Sequence, residues 1–390
     1  MSGGPEGPGL RVLVTNRVLA NRTGTELYVR DLAVGLLRAG HHPVVYSPLL
    51  GPVADEVRAA TVPVVDDLAR IGSAPDVIHG HHGLETLAAL LAFPGVPAVA
   101  LCHSWVGWAD APLRFPRVLR HVAVDHTCRD RLVSEGVPAE RVAVALNAVD
   151  LDRFRPRPPL PPRPRRALVF SNAAGGRAGH LAAIRAACAR AGIALDVAGT
   201  RSRKPLERPE EVLGGYDLVF AKARAALEAM AVGAAVVLCD AAGAGPMVTT
   251  ANLDRLRPLN FGVRTLGEPA TPEALAREIA RYDPGDAAAV SRRVREGAGT
   301  AALVDELVAL YREVIAEHRA GPADDPAAEQ RAAAAYLQWL APRLHERDLL
   351  RAAFGTLLRL PLVGAAVRAR ARRESGGHWL AQLVARMERD

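Results

Sequence analysis

The segment DLVFAKARAALEAMAVGAAVVLCD, residues 217–240, decides the fold. An apolar run, a turn, an Ala- and Leu-rich stretch, Gly233 and a second apolar run follow one another, which predicts strand, turn, helix and strand. Lys222 and Arg224 fall where this helix begins, although a helix N-terminus favours acidic residues. Lysine is rare here, because only Lys204 and Lys222 occur among 49 basic residues. Cations at a strand end and helix start are expected where an anion, such as a phosphate or diphosphate, binds.

The same strand and helix rhythm extends to both sides of this segment. Residues 10–154 alternate short apolar runs with helical stretches, and the rhythm restarts over residues 167–320. Many of these runs are apolar without alternation, as expected for parallel strands covered on both faces. Between them, residues 155–166 hold six prolines in twelve positions, which predicts a stiff linker. The chain is therefore predicted to be α/β, with two doubly wound Rossmann-like domains facing a cleft.

Residues 321–390 differ from both predicted domains. They are rich in Ala, Leu and Arg, and they predict a helical C-terminal extension. The apolar, arginine-rich part from Leu349 to Arg373 has two interpretations. It could lie on a membrane surface as an amphipathic segment, or it could belong to helices that pack on the main body, which we favour.

Composition and charge limit the classes of protein to be considered. The hydrophobic share of 49% predicts a globular chain, and the net charge of +7 suits an anionic partner. The basic residues are scattered and no basic block is interleaved with aromatics, so nucleic-acid binding is not expected. The four cysteines form no CxxC pattern, and the N-terminus shows no apolar signal core. These features predict a cytoplasmic protein without a disulfide framework.

Several motifs, in this order, resemble the glycosyltransferases of the GT-B fold, specifically the retaining family 4-like group. The first domain contains Thr23-Gly24-Thr-Glu26, then PDVIHGHH at residues 75–82, AVALCH at 98–103 and NAVDLDRF at 147–154. The second domain contains LEAMAVG at residues 227–233. The resemblance covers roughly residues 10–318, and it rests on the order and spacing of these elements together.

The resemblance implies a set of donor-binding residues. Glu228 would accept the ribose hydroxyls of a sugar nucleotide, and Lys222 and Arg224 would neutralise its diphosphate. Gly24 would bring the backbone close to the donor, and Arg177 would follow a glycine-rich turn that could cradle phosphate. An ordinary structural interpretation stands beside each role: Glu228 could simply pair with Arg224 one helical turn away, and the cations could be solvated surface groups.

His103 is the predicted catalytic residue. The resemblance places it at the end of a cleft strand, in contact with a hydroxyl of the transferred sugar and not acting as a strong base. The alternative is an ordinary buried histidine with one hydrogen bond. Three further histidines cluster earlier in the chain. Alternation along the predicted strand directs His79 and His81 to one face and His82 to the other. No acidic or cysteine residue completes a ligand set nearby, so we expect no metal site.

The chain departs from the family pattern in one respect that concerns chemistry. The family carries a first glutamate eight positions before the second, and here that position is Phe220.

From the motifs and the resemblance together, we predict a glycosyltransferase that moves a sugar from a nucleotide-sugar donor to a hydroxyl acceptor, with retention and without a metal or other cofactor. A GT-B-like binding scaffold without turnover and a nucleotide-sugar epimerase stay open. The acceptor could be a glycan, a lipid or a secondary metabolite, and the tail could touch the inner membrane face.

Overall fold

The computed structural model describes residues 8–172, 179–199 and 206–359, with side chains described as far as residue 346. Two sheets, one parallel and one mainly parallel, with helices on their faces make up this part of the chain. The predicted fold class, two Rossmann-like domains with a helical C-terminal region, is confirmed.

The first sheet has seven strands in the order β3-β2-β1-β4-β5-β6-β7, and all neighbours are parallel. The strands are β1 Arg11–Thr15, β2 His42–Tyr46, β3 Val64–Val65, β4 Val77–His81, β5 Ala98–Cys102, β6 Val118–Ala123 and β7 Val142–Val144. The connecting helices are α1 Gly24–Arg38, α2 Pro52–Ala59, α3 Gly83–Ala92 and α4 His126–Ser134. The proline-containing run at residues 61–65 yields only the short edge strand β3, as its sequence predicts.

The second sheet has five strands in the order β12-β11-β10-β8-β9. They are β8 Arg166–Phe170, β9 Ala194–Ala198, β10 Leu218–Ala221, β11 Ala235–Asp240 and β12 Gly243–Met247. The helices are α5 Gly179–Arg190, α6 Pro209–Val212, α7 Ala223–Val232, α8 Leu253–Leu256, α9 Pro272–Ile279 and α10 Pro284–Gly297. The edge strand β12 runs antiparallel to β11, which the sequence pattern did not predict.

The segment that opened the sequence analysis folds as predicted. Strand β10, helix α7 and strand β11 follow one another, and Gly233 ends α7 with a left-handed φ of 92°. Glycine adopts this conformation without the steric penalty of a Cβ atom. The chain can therefore turn directly from α7 into the buried strand β11.

Each sheet has one point where the strand order reverses direction. In the first sheet it lies between β1 and β4, and in the second between β8 and β10. Ligands of open α/β sheets bind beyond the carboxyl ends of the strands at such points. The topology therefore directs attention to the residues after Thr15 and His81 in one domain, and after Phe170 and Ala221 in the other.

The last helix of the α/β part returns to the first domain. Helix α11, Thr300–Ala320, contributes Leu307, Tyr311 and Val314 to the same core as β1 and β4. These three side chains are fully buried. The sequence does not predict its position on the first sheet, because local periodicity does not identify the partner of a helix.

Helix α12, Pro326–Arg359, packs on the first domain through residues between Glu329 and Leu340. Arg117, which is only 1% exposed, pairs with Glu329 of this helix at 2.6 Å and also donates to the carbonyls of Leu90 and Val96. Leu340 is buried as well. The described part of the chain contains no helix that is long and apolar enough to cross a membrane. Most of the arginine-rich segment 349–373 lies outside the described residues.

Candidate active site

The carboxyl ends of β1 and β4 are joined by side-chain hydrogen bonds. The hydroxyl of Thr15 donates to the carbonyl of His81 at 3.3 Å and accepts from the amide of His81 at 3.1 Å. It also lies 3.4 Å from the hydroxyl of Thr86 in α3. These bonds fix the backbone at the switch point of the first sheet.

A row of histidine rings begins inside the first sheet and ends at this switch point. His79 Nδ1 shares a 2.5 Å hydrogen bond with the hydroxyl of Tyr311, and the His79 and His81 ring centroids are 4.8 Å apart. His81 Nδ1 lies 2.6 Å from His103 Nε2, and these two rings stack at an interplanar angle of 18°. Tyr28 packs its edge against both stacked rings. The predicted common direction of His79 and His81 is confirmed.

Burial keeps these histidines neutral. Desolvation lowers the pKa of His79 to about 3 and the pKa of His82 to about 4. It also lowers the pKa of His81 and His103 well below the usual value, with a further contribution from the neighbouring histidines. A neutral imidazole has one donor and one acceptor nitrogen. His79 and His81 are fully buried, so His103, which is partly exposed, is the member of the row that could exchange hydrogen bonds with a hydroxyl near pH 7, without supplying a positive charge.

His103 lies just beyond β5 and is partly exposed, while the residues before it are buried. Its backbone amide donates to Asp110 at 2.9 Å, in a short 3-10 helix that spans Trp108–Asp110. Burial raises the pKa of the Asp110 carboxyl, although the hydrogen bond from His103 opposes this effect. The ring stack with His81 and the backbone bond to Asp110 together fix the position of His103 at the switch point.

Lys222 lies at the switch point of the second sheet, as the N-cap residue of α7. Its ammonium group is 2.8 Å from the carboxylate of Asp240 at the end of β11. Asp240 also accepts a 2.9 Å hydrogen bond from Ser171, which follows β8. One carboxylate thus connects the ends of three neighbouring strands. The Lys222 side chain is still 36% exposed, so its charge is accessible from the solvent.

Arg224, in the first turn of α7, is held between two carboxylates. It donates to Glu228 at 2.7 Å and to Asp31 of α1, so the contact crosses from the second domain to the first. Burial raises the pKa of the Glu228 carboxyl even though Arg224 opposes it. Burial would also raise the pKa of Asp31, but Arg224 and Arg30 beside it hold that pKa below its usual value. The structural alternative for Glu228, a pair with Arg224, is therefore present.

A loop of the second domain connects the start of α7 to the first domain. Ala223 donates its amide to the carbonyl of Phe261 at 2.9 Å, and the side chain of the adjacent Asn260 donates to the carbonyl of Val124 beyond β6. Asn260 and Phe261 both have positive φ values, 49° and 52°, which keep this loop tight. The start of α7 is therefore connected to the carboxyl edge of the first sheet through a single loop.

Gly24 and Phe220 lie at the two positions where the family resemblance sets expectations about the donor. Gly24 is the first residue of α1, and a Cβ atom added there would meet no atom of the described residues within 4 Å. Within the described part of the chain, neither packing nor a positive φ requires a glycine at this point. Phe220 is fully buried in β10, and no carboxylate stands at the position of the first family glutamate.

Some candidates from the sequence have other outcomes. Arg177, with its glycine turn Gly175-Gly176, lies outside the described residues. Among the described residues, no group of three or more His, Cys, Asp or Glu side chains is arranged to hold a metal ion.

The acidic partners of the site are not predicted by the sequence pattern. Asp31 and Asp240 neutralise the two cations, yet they lie on α1 and β11, far apart in the chain. Asp240 directly follows the apolar run of β11, so its position at a strand end was a signal that could have been used. Asp31 lies within a helix and carries no such signal.

Comparison with protein families agrees with this geometry. Residues 22–153 match the model of Glycosyltransferase Family 4, which covers most of the first domain. No curated protein sequence matches the chain. The match gives the chain a family 4-like glycosyltransferase domain over residues 22–153, and the two domains together have the fold of GT-B glycosyltransferases.

Solved structures with the same fold include several glycosyltransferases. A glycosyltransferase from Rickettsia africae superposes with a TM-score of 0.59 at 14% identity, over 79% of this chain and 99% of its own. HepE from Anabaena, in complex with UDP and glucose, superposes with a TM-score of 0.56 at 15% identity, over 77% of this chain and 99% of its own. HepE in complex with UDP-glucose has a TM-score of 0.53 at 14% identity, over 78% of this chain and all of its own. At these identities the likeness concerns the fold.

We expect the Asp31–Arg224 contact to contribute measurably to the free energy of unfolding. We expect Asp31→Asn to lower the free energy of unfolding by about 2–4 kcal/mol, because it leaves a largely buried guanidinium without one of its two carboxylates. Asp66→Asn, at the exposed Arg70 pair, is the matched control and should cost less than about 1 kcal/mol. Urea denaturation measures both variants. Equal losses of unfolding free energy in the two variants would show that the buried contact contributes no more to stability than the exposed pair.

The neutral histidines predict a loss of stability in acid. In the unfolded chain the His79 imidazole binds a proton near pH 6.5, whereas in the folded protein it does so only near its pKa of about 3. The free energy of unfolding therefore decreases as the pH falls from 6.5 towards 3. One such histidine contributes a loss of about 2 kcal/mol between pH 7.5 and pH 5. His79→Gln should reduce the loss by that amount in urea denaturation at the two pH values. Tyr311→Phe, as the control, should lower stability similarly at both. An unchanged pH dependence in His79→Gln would contradict the assignment.

Proposed function

We propose that this glycosyltransferase uses a nucleoside diphosphate sugar as donor and transfers the sugar to a hydroxyl acceptor with retention of configuration and without a metal ion. The observation that carries the proposal is the position of Lys222. Its ammonium group lies at the N-terminus of α7 and at the switch point of the second sheet, where a diphosphate would meet both the side chain and the helix dipole.

The nature of the donor is proposed from chemistry and from the neighbours of the fold. HepE was solved with UDP and with UDP-glucose, and these ligands belong to that protein. In the present chain, Glu228 offers a buried carboxylate one helical turn beyond Arg224. We assign Glu228 to the ribose hydroxyls, with Arg224 holding the carboxylate in position.

In the proposed reaction the bond between the sugar and the diphosphate breaks while the acceptor oxygen bonds to the same carbon from the same face, and the proton of the acceptor hydroxyl passes to the departing diphosphate. Negative charge grows on the departing diphosphate, and Lys222 with the first amides of α7 would stabilise it. His103, kept neutral by burial, would hold a hydroxyl of the transferred sugar. Among the described residues, Gly24 leaves open space for the donor at the start of α1.

The non-catalytic alternative rests on Phe220. A phenylalanine replaces the glutamate that the family uses to contact the donor hexose, and a buried ring cannot accept hydrogen bonds from a sugar. A scaffold of this kind could bind a sugar nucleotide without breaking the bond between the sugar and the nucleotide. Nucleotide release from a panel of nucleotide sugars therefore separates the two functions: slow hydrolysis supports the transferase, and binding without release supports the scaffold.

Lys222 should contribute to the binding of the diphosphate group. We expect Lys222→Met to weaken UDP binding at least about tenfold, because a charge-assisted hydrogen bond to phosphate is lost. Isothermal titration calorimetry with UDP measures this change. Arg277→Met is the control, since Arg277 forms an exposed pair with Glu268 at 2.8 Å and should not affect UDP. If neither UDP nor another nucleoside diphosphate binds the unchanged protein, the proposed function is wrong.

Glu228 should distinguish nucleotides with and without ribose hydroxyls. The unchanged protein is expected to bind UDP about 10-fold or more tightly than 2′-deoxy-UDP, because each hydrogen bond to a carboxylate contributes about 1.5–3 kcal/mol. In Glu228→Gln this ratio should fall towards one. The ratio is taken within one variant, so a general loss of stability does not change it. A ratio that stays the same in Glu228→Gln would remove Glu228 from the ribose site.

A further inference from the structure

We infer that helix α12 and the segment after β5 form a subsite for the body of the acceptor, and that this subsite takes a flat apolar ring system bearing a hydroxyl group. The inference rests on the proposed transferase function and adds a substrate class to it. Four sets of observations carry it: the lining of a cavity, the aromatic rings around it, its connection to His103, and the anchoring of α12.

The cavity lies between α12 and the first domain and has a volume of about 270 Å³. Its lining is mainly apolar, with Tyr336 and Trp339 as the large side chains and Arg114 and Glu135 as the charged ones. Complete ligand pockets are usually about 300–1,000 Å³. This cavity therefore fits part of a ligand, such as a small fused-ring alcohol, and not a whole sugar nucleotide.

Aromatic rings cluster at this cavity. The Tyr336 and Trp339 ring centroids are 5.6 Å apart, and the Trp339 and Trp108 centroids are 6.5 Å apart. Arg17 lies over the Trp108 ring at 5.4 Å, and Arg343 lies over the Trp339 ring at 4.0 Å. Aromatic side chains favour offset or edge contacts with further rings. The lining therefore suits a planar ring system better than a flexible alkyl chain.

The cavity adjoins residues that contact His103. Ala111 and Pro112 line it, and they also line the narrow space beside His82 and Asp110. Asp110 accepts the hydrogen bond from the His103 amide. We therefore place a bound ring with its hydroxyl on the side of Ala111 and Pro112, which is the side of the cavity that leads towards Asp110 and His103.

Helix α12 is attached firmly enough to serve as a wall of a binding site. The buried pair between Arg117 and Glu329 fixes its first turns, and Ala333 and Leu340 are buried further along. Tyr336 lies against the start of α3, since a Cβ atom at Gly83 would be 2.6 Å from its hydroxyl oxygen. The helix is packed at both ends of the cavity, so the cavity is held open by a fixed element.

The experiment fills the cavity and measures binding of a ring alcohol without catalysis. The probe is 2-naphthol, observed by saturation-transfer difference NMR, with 1-octanol and cellobiose as comparison ligands. Ala335→Phe and Ala332→Phe each place a ring in the cavity, because both residues line it. Ala334→Phe is the matched control, since Ala334 is exposed on the same helix and does not line the cavity.

The expected result is a 2-naphthol signal in the unchanged protein and in Ala334→Phe, reduced at least about fivefold in both cavity-filling variants. Circular dichroism checks that α12 still forms. Equal 2-naphthol signals in all four proteins, or a stronger response to 1-octanol or cellobiose, would overturn the inference. UDP binding is measured on the same samples. If the unchanged protein binds UDP but gives no 2-naphthol signal, only the subsite is contradicted, whereas absence of UDP binding to the unchanged protein contradicts the proposed function.

Discussion

The contact between Asp31, Arg224 and Glu228 is the interaction on which the arrangement of the site depends. It joins the first helix of one domain to the helix that starts at the switch point of the other. All three side chains are nearly buried, with Glu228 5% exposed and Arg224 13% exposed. Charges that leave water must be paired, or the folded state loses several kcal/mol. The relative position of α1 and α7 is therefore restricted to arrangements that keep the guanidinium between the two carboxylates.

Carboxylates of the protein itself pair with the two cations at the start of α7. Their position predicts an anion, and the protein supplies anions of its own: Asp240 for Lys222, and Asp31 with Glu228 for Arg224. The two pairs differ in exposure, since Lys222 is 36% exposed while Arg224 is largely buried. An exposed ammonium can approach an incoming phosphate at little cost. A buried guanidinium that holds two carboxylates is better suited to positioning Glu228 than to meeting the donor itself.

Much of the fold follows from local patterns in the sequence. Apolar runs predict the parallel strands, Gly233 predicts the end of α7, and alternation predicts that His79 and His81 share a face. These properties depend on residues close together in the chain. The acidic partners Asp31 and Asp240, and the antiparallel strand β12, depend instead on contacts between distant segments. Such contacts are decided by the whole topology, so a linear pattern does not reveal them.

The orientation of His103 also depends on a distant segment of the chain, helix α11. The helix follows the second domain in sequence but packs into the core of the first, where the hydroxyl of Tyr311 meets His79. His79 lies against His81, and His81 bonds to His103. Close packing transmits small displacements, because there is no free space to absorb them. Any shift of α11 relative to the first sheet would therefore move the histidine row, so the orientation of His103 is determined by a helix that only the complete two-domain fold can place.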